Sequence, residues 1–268
     1  MSIFEAIVIG LVQGITEFLP ISSSAHIAIV GRLFDLPTQG LAMEVFLHLA
    51  SVLVVIVFFY KEILTICRDF LVFLFQRKAE AKPGFLFGCY ILVATVVTAV
   101  LGLLLLRSLG DAIKHPVLIG SALLLTALCL ILVEKVFAYG NRTMEKMTWW
   151  DSLIIGLAQT LSVIPGISRS GATLVAALFC GLERETAVRY SFLLAIPVIL
   201  GSSLLSLRDL TGEWGQQLGA IPLLVAFVVC IFATWIGIVW LIGFLKQGRL
   251  YIFAIYCVLL GLTAIFFL

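Results

Sequence analysis

Charge is scarce in this chain. Asp, Glu, Lys and Arg together make up 12% of its 268 residues, where a soluble domain carries about 25%, and that shortage excludes a water-solvated globular fold. The net charge is only +2, and the basic residues are scattered over many short stretches. A basic surface for nucleic acid is therefore absent, and no nucleic-acid partner is expected. The six cysteines, Cys67, Cys89, Cys129, Cys180, Cys230 and Cys257, include no C-x-x-C pair, which excludes a zinc ribbon or a dithiol redox motif. Most lie within or beside apolar runs and read as small buried hydrophobes. The opening residues Met1 to Glu5 lack a positive n-region, so the first apolar stretch is expected to stay in the mature protein.

What the chain has instead is hydrophobic length: 62% of its residues are apolar and its mean hydropathy is +1.20. Runs at 42–60, 85–106, 116–136, 187–207, 221–245 and 250–268 each supply roughly the 20 residues that cross a bilayer as a helix. Two further regions, 3–33 and 150–182, are apolar but broken in the middle by Pro, Gly and clustered hydroxyls. Bare backbone at membrane depth is tolerated only where protein or a water-filled cavity surrounds it, so each break reads as a re-entrant hairpin lining a site. The predicted fold is an all-α polytopic membrane protein with six transmembrane helices and two re-entrant helix hairpins, in one membrane domain, 1–268.

The two breaks echo each other. Gly10-Leu11-Val12-Gln13 leads to Pro20-Ile21-Ser22-Ser23-Ser24, and Gly156-Leu157-Ala158-Gln159 leads to Pro165-Gly166-Ile167-Ser168-Arg169-Ser170. A weaker echo links Phe46-Leu47-His48-Leu49-Ala50 with Phe192-Leu193-Leu194-Ala195. The spacing predicts a duplication, with a first repeat at 1–138 and a second at 148–268. Three spans per half is an odd number, so the halves would be inverted, as in secondary transporters.

Loop charge sets the orientation. If the loop at 61–84 faces the cytoplasm, twelve basic residues lie inside: Lys61, Arg68, Arg77, Lys78, Lys82, Lys135, Arg142, Lys146, Arg184, Arg189, Lys246 and Arg249. Four lie outside: Arg32, Arg107, Lys114 and Arg208. The positive-inside rule then puts both termini outside. The first hairpin dips in from the outer face and the second from the cytoplasm, so that their tips meet.

Each break carries ionisable residues that are costly to bury and hence candidates for function. In the first, Glu17 precedes Pro20 and His26 follows Ser22 and Ser23. Ser23 and His26 stand three apart in sequence, which places them on one helical face. That suits a hydroxyl activated by imidazole, or an imidazole that itself attacks phosphorus. In the second, Arg169 stands among Gly166, Ser168, Ser170, Gly171 and Thr173 just before a helix. A helix N-terminus and a guanidinium fork both match phosphate. The parts together fit phosphoryl transfer on a lipid-like substrate, with Glu17 available to a divalent cation, Mg²⁺ or alternatively Ca²⁺. Glu44 and His48, four apart on the first full span, read equally as cavity-lining or supporting groups. His115 reads as inert, Trp149 and Trp150 as an interfacial belt, and Asp151 as a helix cap.

At the stretches Gly14-Ile15-Thr16-Glu17-Phe18-Leu19-Pro20-Ile21-Ser22-Ser23-Ser24-Ala25-His26 and Pro165-Gly166-Ile167-Ser168-Arg169-Ser170-Gly171-Ala172-Thr173, the chain resembles the undecaprenyl pyrophosphate phosphatases, bacterial membrane enzymes also called bacitracin-resistance proteins. Tyr190 to Pro197 resembles a further segment of that family. The resemblance implies metal-dependent hydrolysis of a polyprenyl pyrophosphate lipid to the monophosphate carrier of cell-wall synthesis, in the bacterial inner membrane, with the site open to the outer face. It implies catalytic roles for Glu17, Ser23, His26 and Arg169, and substrate contacts for Gln13, Ser22, Ser168, Arg169, Ser170 and Thr173. Gln13 stands where many members carry Glu, and Ala25 where Gly is common, so Glu17 is left as the single carboxylate. A homodimer is left open. Inverted, broken helices are also transporter anatomy, so flipping of a polyprenyl phosphate is the alternative. The acid-phosphatase-like lipid phosphatases are excluded, since the His and Asp that follow their Ser-Arg pair are missing after Arg169.

Overall fold

The computed structural model describes residues 1–34, 41–110, 113, 115–135, 140–205 and 218–267. The expected outer-loop cations Lys114 and Arg208, and the ends of three expected spans at Val136, Leu207 and Leu268, lie outside the described residues. Eleven α-helices follow in order among those described: α1 (Ile3–Phe18), α2 (Ser23–Leu33), α3 (Leu41–Phe58), α4 (Tyr60–Gln76), α5 (Lys82–Leu109), α6 (Pro116–Lys135), α7 (Trp149–Leu161), α8 (Arg169–Phe179), α9 (Arg184–Leu205), α10 (Ala220–Lys246) and α11 (Leu250–Phe267). No strand occurs among the described residues beyond one isolated bridge, Arg142 with Leu182.

By length and composition α5, α6, α9 and α10 can each cross a membrane unaided. The expected span at 42–60 corresponds to α3, which joins α4 through a bend of 77°. The expected cytoplasmic loop at 61–84 is thus mostly helix. Its sequence alternates Ile63, Leu64, Ile66, Phe70 and Phe73 with Lys61, Glu62, Arg68 and Asp69, an amphipathic pattern suited to lying along a surface. None of its residues is buried, and Phe70 and Phe73 both stack on Phe85 of α5. The expected span at 250–268 corresponds to α11, apolar throughout and only 18 residues long.

Both broken regions are helix, break, helix. Each pair packs on itself, α1 on α2 and α7 on α8, and at about 1.5 Å of rise per residue none of these four helices alone spans a ~30 Å hydrocarbon core. Capping boxes start both hairpins. Ser2 Oγ accepts from the Glu5 N–H while Glu5 takes the Ser2 N–H at 2.8 Å. Thr148 and Asp151 repeat this at α7, where the Thr148 N–H donates to Asp151 at 2.7 Å. Asp151 therefore caps, as expected, from the third position of the helix.

The bundle is assembled by close backbone approach. A Cβ on Gly10 would lie 2.5 Å from the Ala226 carbonyl oxygen, and one on Gly14 2.5 Å from that of Cys230, so α1 lies directly against α10. A Cβ on Gly156 of α7 would lie 3.0 Å from the Ala94 backbone of α5, and Gly120 and Gly261 join α6 to α11. Small residues at such crossings are how helices pack without a hydrophobic driving force between them. The contacts also run in matching sets: α1 with α10 and α7 with α5, α3 with α10 and α9 with α5. The tips of both hairpins, through Phe18, Leu19 and Ile21 and through Leu174 and Ala177, are buried in one apolar core. Of the cysteines, Cys230 and Cys257 are buried as expected, while Cys67 is exposed on α4.

Candidate active site

The two breaks meet at their tips. Pro20 stops α1, and the chain turns through Ser22, whose φ of 66° is unusual for a residue other than glycine. Two contacts explain why this turn holds. Ser22 Oγ accepts the Gly166 N–H of the second hairpin at 3.1 Å, and the Ser22 carbonyl takes a ring nitrogen, Nδ1, of His26 at 2.7 Å. The second hairpin makes its own left-handed turn at Gly166, with φ 104°, where a side chain would collide with the Ile119 carbonyl. Thr126 of α6 pins that turn from the other side, donating to the Gly166 carbonyl at 3.0 Å.

Ser168 is the N-cap of α8, its Oγ accepting from Gly171 N at 3.1 Å. Ser170 donates to the Leu19 carbonyl at 3.0 Å, and Thr173 returns its hydroxyl to the Arg169 carbonyl at 3.0 Å. The hydroxyls of both motifs thus fasten the hairpins to themselves and to each other.

Glu17 lies at the centre, 4% exposed. Arg169, the first residue of α8, reaches across and pairs with Glu17 Oε1. The other oxygen, Oε2, accepts from Gln13 Nε2 at 2.7 Å and from Ser23 Oγ at 2.7 Å. His48 Nε2 of α3 lies 3.0 Å from the same oxygen. Glu44, one turn before His48, is 3.9 Å from that ring nitrogen. Carboxylate, guanidinium, imidazole and hydroxyl are therefore assembled from three segments far apart in sequence.

His26 is placed differently from the expectation. It meets neither Glu17 nor Ser23; its Nε2 lies 2.7 Å from the Tyr256 hydroxyl of α11, and the two rings stack at 5.5 Å. Because the Ser22 carbonyl can only accept, Nδ1 must carry the proton, and Tyr256 then donates to Nε2. The imidazole beside Glu17 is that of His48. The expected pairing of Ser23 with His26 gives way to separate partners: Ser23 donates to Glu17, and His26 is held by the Ser22 carbonyl and the Tyr256 hydroxyl.

Two residues that matter here went unnoticed in the sequence. Tyr256 looks like any aromatic in an apolar span and gives no local signal. Arg142, counted above only as an inside charge, donates to both oxygens of Asp151 at 3.0 and 2.6 Å and to the carbonyls of Cys180 and Lys146 at 2.6 and 2.8 Å. It ties the start of α7 to the end of α8, and the hydrogen bonds it donates to the Asp151 carboxylate hold its guanidinium above the ordinary arginine value. Trp150 stands exposed at the start of α7, and His115 spends its Nδ1 on the Val117 N–H at the start of α6.

A pocket opens beside Arg169, walled by Phe18, Ser170, Thr173, Ser191 and Phe192. A guanidinium among mostly apolar lining residues suits an anionic head on a hydrocarbon chain.

Comparison with known proteins shows the family. Residues 6–263 match the family described as bacitracin resistance protein BacA. The chain belongs to that family. It is 52% identical to a protein of Halalkalibacterium halodurans named undecaprenyl-diphosphatase 2, over 100% of this chain and 96% of the relative. It is 46% identical to undecaprenyl-diphosphatase 1 of Shouchella clausii, over 100% and 97%, and 39% identical to the undecaprenyl-diphosphatase of Oceanobacillus iheyensis, over 100% and 97%. The membership expected from the two motifs thus extends over nearly the whole chain.

Proposed function

We propose that this membrane protein hydrolyses undecaprenyl diphosphate to undecaprenyl phosphate and inorganic phosphate, returning the carrier lipid to cell-wall synthesis and so conferring bacitracin resistance. The observation that carries the reading is the Glu17–Arg169 pair between two re-entrant tips, with Ser23 Oγ donating to the same carboxylate.

In the resting state Arg169 neutralises Glu17. An arriving diphosphate competes for the guanidinium, whose planar fork matches phosphate oxygens, and Glu17 is freed as a base at the moment substrate binds. Ser23 Oγ attacks the terminal phosphorus as its proton passes to Glu17. The anhydride P–O bond breaks and undecaprenyl phosphate leaves. Glu17 passes the Ser23 proton to His48, and the freed carboxylate deprotonates a water that attacks the phosphoserine. The P–O bond to Ser23 breaks, Ser23 Oγ recovers a proton from His48, and the water's proton leaves Glu17 with the phosphate. A one-step attack by water with Glu17 as base is the direct alternative, and failure to trap a phosphoenzyme would select it. Arg169 and the N–H groups that open α8 stabilise the equatorial oxygens in either case. His48, on the oxygen shared with Ser23, is the imidazole placed to hold or pass on the proton. His26 holds the Ser22 turn.

A divalent cation, Mg²⁺ or Ca²⁺, belongs to the same reading. Gln13 Oε1 is buried and has no hydrogen-bond partner, while Gln13 Nε2 is spent on Glu17. That orphaned carbonyl oxygen one turn from a carboxylate is the kind of hard donor set such ions accept, the substrate phosphates completing it. Gln13 and Glu17 would hold the ion, which would offset the diphosphate's charge. Gln13 thereby keeps a use although it is not a carboxylate.

The matching helix pairings support two inverted halves, 1–138 and 148–268. The excess of basic residues in the inside loops supports an inner-membrane orientation with the first hairpin, and hence the site, open to the outer face. All the residues assembled here come from one chain, so a homodimer is not required for chemistry.

The test is phosphate release from undecaprenyl diphosphate in detergent, for the wild type and for Glu17→Ala, His26→Ala and Arg169→Ala. Release should need divalent metal, cease in EDTA, return with Mg²⁺ or Ca²⁺, and disappear in the Glu17 and Arg169 variants. A folded wild type that releases nothing, yet moves polyprenyl phosphate between leaflets, would replace this reading with transport.

A further inference from the structure

Among the described residues, most buried hydroxyls inside the helices have a partner. Thr16, Thr95, Thr98 and Thr173 each return theirs to a carbonyl one turn back, the usual habit of Ser and Thr in helices. Ser202 does so with Ile199 at 2.9 Å. Among the described residues, two buried serines do not: Ser191 and Ser203, both on α9. Ser203 is not among the residues that line the pocket beside Arg169. Ser191 is 9% exposed and lines the pocket that contains Arg169.

A buried hydroxyl without a partner is rare enough to need an explanation, and its position provides one. The other hydroxyls around the pocket, Ser170 and Thr173, are committed to protein carbonyls. Much of the remaining wall, Phe18, Leu174, Phe192 and Leu241, is apolar. Ser191 is therefore the hydroxyl in this slot that keeps its O–H for something else. No carboxylate or imidazole accepts its proton, so it is a binding group rather than a nucleophile.

We propose that Ser191 is a second phosphate contact, its hydroxyl donating to a non-bridging oxygen of the polyprenyl diphosphate whose charge Arg169 receives. The proposal rests on the reading that the diphosphate reaches Arg169, and it makes α9 part of the substrate site although the two motifs lie on the hairpins. The hydroxyl orients the head group while the phenyl and leucyl wall takes the first part of the hydrocarbon chain.

Four variants test it: Ser191→Ala, Ser191→Thr, Arg169→Lys, and Ser203→Ala as a control for losing an unpartnered serine from the same helix. The readouts are kcat and KM for phosphate release from undecaprenyl diphosphate, and inhibition by inorganic phosphate. Loss of a hydrogen bond to a charged group predicts that Ser191→Ala raises KM and the phosphate inhibition constant about ten-fold, with kcat falling much less. Ser191→Thr keeps the donor and should stay near the wild type, and Ser203→Ala should match it. If Ser191→Ala does not fold, Ser191→Cys, a weaker donor of similar size, should show the same rise. An unchanged KM in Ser191→Ala beside a raised KM in Arg169→Lys would overturn the role of Ser191 alone. Equal rises in Ser191→Ala and Ser203→Ala would also overturn it, as an effect of helix packing. An unchanged KM in Arg169→Lys would instead sink the reading beneath it.

Discussion

In the first hairpin Gln13 turns its amide N–H to Glu17, one turn further along the same helix. In the second, Gln159, at the matching place in the sequence, turns its amide to Thr98 of the neighbouring α5 at 2.9 Å. Both carbonyl oxygens are buried without partners. The backbone plans are alike, and the difference lies in charge: the carboxylate belongs to the first hairpin and the guanidinium to the second. Neither sign could be buried by itself without a large cost. Docking tip against tip neutralises both, and it also assembles the site. The strain is divided as well, since the first hairpin turns at Ser22, held there by cross-contacts, and the second at Gly166, which needs none for its φ.

The comparison breaks most severely if one charge is removed. Glu17→Gln or Arg169→Ala should lower turnover by about 10³-fold or more, and each takes from its buried partner the counter-charge of the Glu17–Arg169 pair, so the denaturation midpoint should fall too. The double variant should be no less stable than the worse single one, because the surviving charge is gone.

Next in size is the imidazole contrast. His48→Ala should reduce kcat by about 100-fold, whereas Tyr256→Phe, which frees His26 Nε2, should cost less than about ten-fold. A larger loss from Tyr256→Phe than from His48→Ala would return the proton-handling role to His26. Arg142→Ala should leave KM in place yet lower stability by about 2–3 kcal/mol, the scale of hydrogen bonds to a charged group, read as earlier unfolding in a detergent melt. The smallest expected effect separates the two glutamines. Gln159→Ala should cost about 1 kcal/mol of stability without altering the metal concentration for half activity, and Gln13→Ala should raise that concentration several-fold.

Much of the site was legible because burying a charge in apolar sequence is expensive, and only function or a partner offsets it. Glu17 and Arg169 stood out on that ground, as did the paired breaks. His48 carried a half signal, four residues after Glu44 on an otherwise apolar span. Tyr256 carried none, since a tyrosine is ordinary in an apolar span, and Ser191 carried only its place in the Tyr190 to Pro197 segment, with no chemistry to mark it. The Ser23–His26 spacing misled. It is correct for one face of a regular helix, but the turn at Ser22 draws the His26 ring back to a carbonyl and toward α11. Helix α4 was missed for a related reason: hydropathy alone reads an amphipathic surface helix as a loop.

By itself the sequence determined that this is a membrane protein, where its two helices break, and which residues are too polar to lie in lipid without purpose. Those properties depend on near neighbours along the chain and on transfer from water. Only the tertiary structure decided who meets whom: Arg169 with Glu17, His48 rather than His26 on the carboxylate, Tyr256 on His26, and Ser191 in the pocket of Arg169. Such pairings depend on how closely α1 and α7 can approach α10 and α5, which a few glycines permit, and on where the two tips then touch.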